Sequence, residues 1–254
     1  MSSVSNFLDN DNIILMEERG PFQTIAYKTD LSVSPEKAIE EYFRTKMNVR
    51  KRQIVCDLSK ANTGITVQAG AMQWMLGNVQ ATTGIKGVGD LFGKAIRGKV
   101  TGESAIKPEY VGDGILVLEP TYKHLFLLDV AEWGGSITLE DGAFLACESS
   151  LQHKAVMRSN LSSAVAGNEG LFNLSLNGRG IVCVESNCPK DELIEITLDN
   201  DVLKIDGSFA IAWSTNLSFT VERSGKTLIG SAASGEGLVN VYRGTGKVLM
   251  APLA

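Results

Sequence analysis

Gly235-Glu236-Gly237-Leu238-Val239-Asn240-Val241-Tyr242-Arg243-Gly244-Thr245-Gly246 has a counterpart upstream in Glu169-Gly170-Leu171-Phe172-Asn173-Leu174-Ser175-Leu176-Asn177-Gly178-Arg179-Gly180. A more diverged version runs from Gly102-Glu103-Ser104 to Gly112-Asp113-Gly114. The three Gly-x-Gly pairs begin at Gly112, Gly178 and Gly244, 66 residues apart each time. Self-similarity at a fixed period indicates one supersecondary unit used several times. It says little about chemistry.

Working outward, each unit opens on an apolar strand: Gln53–Cys56, Leu125–Leu128 and Leu193–Ile196. A second strand then runs to a glycine, from Ile65 to Gly70, from Ile137 to Gly142 and from Val202 to Gly207. Glycine after a short apolar run suits a tight turn, because it takes positive φ without a Cβ clash. The alternation of the third unit is out of phase by one residue, which predicts a bulge or a shortened turn there. Each unit is expected to close with a Gly-Glu turn, a strand, a Gly-x-Gly turn and a last strand (Ile115–Leu118, Ile181–Val184, Lys247–Met250). Pro120, Pro189 and Pro252 follow, and proline cannot donate to a ladder. This pattern predicts an all-β chain of three tandem sandwich-like repeats, about 51–121, 122–189 and 190–254, in a pseudo-threefold arrangement.

Residues 1–50 stand outside the repeat. Asn12–Met16 and Phe22–Tyr27 flank Gly20-Pro21 and predict a hairpin. Ser34-Pro35 places a capping hydroxyl before a first-turn proline. Ala38, Ile39, Tyr42 and Phe43 then recur at helical spacing through about Met47, which predicts one short helix. Its apolar face would pack across a sheet or against a neighbouring subunit.

The first unit carries an extra glycine-rich stretch over 84–102. Val88, Leu91, Phe92, Ala95 and Ile96 form an amphipathic stripe flanked by Lys86, Lys94, Arg97 and Lys99. Leu91, Phe92, Lys94, Ile96, Arg97 and Lys99 are therefore the candidate interaction residues. They would form a flap over their own sheet, a seam between subunits, or a weak contact with an anionic membrane surface.

Composition narrows the class. A chain of 254 residues with 44% hydrophobic residues and 26 Gly against 6 Pro is globular and rich in turns. A net charge of -5 gives no strong nucleic-acid signal, because non-specific affinity for phosphates comes from Lys and Arg. The first residues have neither a signal-peptide nor a transit-peptide pattern, so the expected location is cytoplasmic. Cys56, Cys147, Cys183 and Cys188 lack C-x-x-C spacing and are expected to be reduced and mostly buried.

Gly70–Met75, Leu91–Ser104, Gly142–Ala146, Asn168–Gly180 and Gly235–Gly246, in this order and spacing, resemble the altered-inheritance-of-mitochondria protein 24 family over about residues 51–254. The resemblance implies an all-β protein of three units similar to the tryptophan RNA-binding attenuation protein (TRAP) fold. It also implies no established activity for bacterial members, and a link to mitochondrial inner-membrane organisation for fungal ones. It supplies no catalytic residues.

The residues themselves suggest no enzyme and no cofactor. Glu103, Glu169 and Glu236 sit in glycine turns, where carboxylates bond local backbone N–H groups; gathering around a hard cation is the alternative. Gly93–Val100 nearly matches a phosphate loop, but Val100 stands where a hydroxyl must hold magnesium. His124 and His153 have no triad-like companion, and Trp74 and Trp213 read as core. The expectation is a non-enzymatic scaffold that forms homo-oligomers, with Gly70, Gly142 and Gly207 as equivalent repeat turns. The alternatives are a nucleic-acid or small-ligand module, or a peripheral membrane protein.

Overall fold

Gly20, at φ +57°, turns the chain between β1 (Ile13–Arg19) and β2 (Phe22–Tyr27), as the Gly20-Pro21 pair predicts. The computed structural model describes residues 3–82, 107–157, 172–223 and 238–253. β2 lies antiparallel to β3 (Arg52–Asp57), with Phe22 opposite Cys56. Asp57 then ends the strand by accepting the Ser59 N–H at 3.1 Å, which starts a 3-10 turn over Leu58–Lys60. β4 (Ile65–Val67), β5 (Met72–Thr82) and β6 (Glu109–Leu118) follow.

The same order returns. β7 (His124–Asp129) ends on Asp129, whose carboxylate accepts the Ala131 N–H at 2.9 Å and starts the 3-10 turn Val130–Trp133. Next come β8 (Ser136–Leu139), β9 (Phe144–Glu148), β10 (Gln152–Met157), β11 (Phe172–Asn177) and β12 (Ile181–Ser186). The remaining strands are β13 (Ile194–Asp206), β14 (Ala210–Ser214), β15 (Ser218–Arg223) and β16 (Leu238–Met250). Here the chain runs straight through where the earlier copies break. Asp199 and Asn200 fall at a register shift between Leu198 and Asp201, and Asn200 takes φ +50°. These two residues form a β-bulge ahead of the stretch that reaches Gly207.

Among the described residues two sheets result, one of nine strands and one of seven, with one short α-helix outside them. The first runs β1-β2-β3-β6-β4-β9-β12-β7, with β5 on the other side of β6. It nearly closes, because β7 returns to β1. The Leu127 N–H donates to Glu17 Oε2 at 3.0 Å, Lys190 pairs with Glu17 at 2.7 Å, and Arg19 pairs with Glu132. The second sheet runs β10-β11-β8-β14-β16-β13, with β15 on the other side of β16. Phe22, Ile54, Ile65, Leu116 and Leu127 fill the core of the first sheet; Ile137, Leu139, Leu176 and Val182 bridge the two.

Similar ladder pairings recur along the chain. Ile65 faces Tyr110, Ile137 faces Leu176, and Leu203 faces Tyr242. On the other side of those last strands, Trp74 faces Val117, Ala146 faces Cys183, and Ala212 faces Leu249. Two further ladders join β4 to β9, with Thr66 opposite Cys147, and β8 to β14, with Thr138 opposite Trp213. Each is extended by one backbone bond, Gln68 N–H to Leu145 O at 2.7 Å and Glu140 N–H to Ile211 O at 3.0 Å.

The Gly-x-Gly pairs are not all turns. Gly112 and Gly114 lie inside β6, Gly244 and Gly246 lie inside β16, and only Gly178-Arg179-Gly180 breaks the chain, where it passes from β11 in one sheet to β12 in the other. The cause is close backbone approach. A Cβ on Gly112, at φ +119°, would stand 2.0 Å from the Asn78 carbonyl oxygen. Glycine lets β5 and β6 stay paired through that bend.

The helix also differs from expectation at its start. α1 (Ala38–Lys46) is preceded by a 3-10 turn over Pro35–Lys37, and the Ser34 side chain makes no capping bond. Its hydroxyl instead hydrogen-bonds the Glu36 carboxylate and holds it below the usual carboxylate range.

Candidate interaction surface

α1 turns its apolar residues away from the sheets. Ile39, Tyr42, Phe43 and Met47 are 73%, 58%, 60% and 76% exposed, while the inward residue is Glu41 at 6%. Leu31 and Val49 extend the same uncovered apolar set. The amphipathic spacing is thus real, but its apolar stripe is not the face that anchors the helix.

Polar bonds do that anchoring. Glu41 accepts the Asp30 N–H at 3.2 Å, and Lys51 pairs with Asp30 at 2.7 Å, holding that carboxyl below its usual range. The buried Arg52 guanidinium donates to the carbonyls of Arg50 (2.9 Å), Asn48 (3.1 Å) and Tyr122 (3.2 Å), and burial lowers its pKa. Arg44 pairs with Glu40 and stands 5.3 Å from the centre of the Tyr122 ring. A helix of nine residues is too short to persist alone, so these bonds hold it in place. Sequence reasoning missed Glu41 and Arg52, since nothing in a charged residue type announces burial.

Two sheet edges are a second uncovered surface. Among the described residues β5 has β6 as its only ladder partner, and β13 has only β16. Met72 and Met75 on β5 and Ile194 and Val202 on β13 are exposed. Phe7 packs edge-on against the Trp74 ring at 5.3 Å between centroids, which covers a face of β5.

The residues singled out from sequence fall unevenly. Leu91, Phe92, Lys94, Ile96, Arg97 and Lys99, and likewise Glu103, Glu169 and Glu236, lie outside the described residues. Gly70, Gly142 and Gly207 occupy turns at φ +80°, +76° and +75°. The backbone bonds show that the third turn holds its glycine one position earlier. Glu119 N–H donates to Ala71 O and Glu185 N–H to Ala143 O, one residue after the glycine, whereas Ala251 N–H donates to Phe209 O, two residues after it.

Nucleophilic chemistry finds no support at the one Cys–His contact. Cys147 Sγ lies 3.2 Å from His153 Nε2, but burial pushes the thiol far up, while desolvation of the imidazole against Phe144 and then Lys107 drop His153 to about 4. Both are neutral at pH 7, so no thiolate–imidazolium pair forms. All four cysteines are free and buried. Among the described residues no three His, Cys, Asp or Glu side chains converge as a metal site, and no helix is long and apolar enough to cross a membrane. A cleft of about 250 Å³ beside Lys123, Asp141, Glu185 and Phe209 holds a Lys123–Glu185 ion pair at 2.9 Å.

Comparison with known proteins places this geometry. The family model described as mitochondrial biogenesis AIM24 matches residues 44–253. A protein from Streptococcus pyogenes serotype M6, described as uncharacterized protein M6_Spy0233, is 32% identical over 197 residues, 74% of this chain and 77% of that one. The crystal structure of protein SPYM3_0169 from Streptococcus pyogenes aligns with a TM-score of 0.59 at 30% identity, covering 81% of this chain and 89% of that chain.

Proposed function

The chain belongs to the AIM24 family, and from that premise we propose that it is a non-enzymatic interaction protein whose working form is an assembly of its own copies. Three tandem β units, 51–121, 122–189 and 190–254, arranged about an approximate threefold axis, would be its framework. The recurring ladder pairings, whose last-strand residues Tyr110, Leu176 and Tyr242 stand 66 apart, support this reading.

The observation that carries the function is the inverted helix. Burying Glu41 while leaving Ile39, Tyr42, Phe43 and Met47 in water is costly for a monomer and sensible for a subunit. Charges of both signs, Glu36, Lys37, Glu40, Arg44 and Lys46, surround the patch. That mixture fits a protein surface better than an anionic membrane, which selects Lys and Arg. Four free, buried cysteines suit a reducing compartment, and we place the protein in the cytoplasm. Light scattering tests the reading: the parent should run as a multiple of 27.3 kDa, and Phe43→Glu should lower that mass without changing the circular dichroism spectrum. A parent of 27.3 kDa at every concentration would end it.

A further inference from the structure

We infer that the outer edge of β13 pairs with the outer edge of β5 in a second copy of this chain, head to tail, so that each chain donates one edge and accepts one. The inference rests on the self-association proposed above and adds a strand-edge contact to the exposed α1 face. Within the chain the same junction is made twice. The second strand of one copy, β4 or β8, lays its outer edge on the strand following the next glycine turn, β9 or β14. The third copy has a strand in the same place, since Leu203, Lys204 and Ile205 face Tyr242, Val241 and Asn240 just as Ile137, Thr138 and Leu139 face Leu176, Ser175 and Leu174. No described strand lies on its outer edge. β5 has the ladder to β6 that matches β9 on β12 and β14 on β16, and no described strand lies on its other edge.

Transferring the register of the two existing junctions fixes the third. Thr66 faces Cys147 and Thr138 faces Trp213, so Lys204 should face Met75; Val67 faces Ala146 and Leu139 faces Ala212, so Ile205 should face Trp74. The bonds Gln68 N–H to Leu145 O and Glu140 N–H to Ile211 O likewise set the Asp206 N–H against the Gln73 carbonyl. Lys204 is a residue type that blunts a free edge, but its partner position is an uncharged, exposed methionine along which its aliphatic stem can lie. A contact between two different edges is heterologous. It propagates into a ring if the rotation closes and into a filament if it does not.

Disulfide trapping between two single variants tests this. Lys204→Cys and Met75→Cys both alter exposed side chains, and residues opposite each other on paired strands lie within disulfide reach. After oxidation with copper–phenanthroline, the mixture should give a covalent species of twice the 27.3 kDa chain mass, reversed by reductant. Either variant alone should give none. Absence of that species from the mixture, in chains that light scattering finds assembled, would overturn the edge pairing and leave self-association standing. Dimers formed as readily by one variant alone would also overturn it, since they require an isologous contact.

Discussion

β8 and residues 202–206 of β13 do the same thing on one side and opposite things on the other. Each lies on a last strand in the same register, Thr138 opposite Ser175 and Lys204 opposite Val241. Beyond β8 sits β14, whereas beyond β13 lies no described strand. At matching positions Thr138 is buried and Lys204 exposed, and Ile137 is fully buried where Leu203 is only partly so. The difference shows that strands with the same inner register can differ in their outer cover, and an uncovered edge presents unpaired backbone groups.

The largest effect should come from crowding the backbone where β5 and β6 pair. Gly112→Ala forces a Cβ to 2.0 Å from a backbone oxygen at φ +119° and should cost more than about 3 kcal/mol, read as a fall in the urea midpoint or failure to fold. Gly142→Ala, at φ +76° with nothing within 4 Å of the added carbon, should cost only about 1 kcal/mol. Equal costs at the two sites would break the distinction between in-strand and turn glycines.

Proline separates the covered edge from the open one. Thr138→Pro removes a donor that faces β14 and should destabilise by about 3 kcal/mol in chemical denaturation. Lys204→Pro removes the donor at the matching open position and should cost a dilute chain under about 1 kcal/mol while lowering the assembled mass. Similar destabilisation by both would mean that β13 is covered within its own chain.

The smallest effect is one of pH and belongs to the covered side. His153 ionises at about 4 in the folded chain against 6.5 in the unfolded one, so the unfolded state takes up the proton first as pH falls. Its contribution is complete above pH 6.5 and is lost as pH drops through that window toward 4. Because part of the side chain meets solvent, the loss should be on the order of 1 kcal/mol, and His153→Phe should flatten this part of the urea midpoint's pH profile. An unchanged profile would remove His153 from the account.

Most strand positions were legible because apolar runs and glycines recur along the chain. The 3-10 turns after Asp57 and Asp129, and their replacement by a bulge at Asp199, follow from the same residue type in two contexts. The in-strand glycines were misread as turns, because a sequence shows that positive φ is affordable and not which backbone comes close. The helix was legible at Ala38–Lys46, but its orientation was not. The choice between Glu41 and Tyr42 as the inward residue was decided by Asp30 and Thr45, whose hydrogen-bonding groups lie within 3.5 Å of the Glu41 carboxylate. The open edges could be seen only once pairing showed which strands lacked a neighbour.

Sedimentation equilibrium of the full chain over a wide concentration range tests the central claim most directly. The expected result is a mass that rises from 27.3 kDa to a fixed multiple, or without limit for an open filament, and that stays low for Lys204→Pro. A single species of 27.3 kDa at the highest concentration, for parent and variant alike, would contradict it.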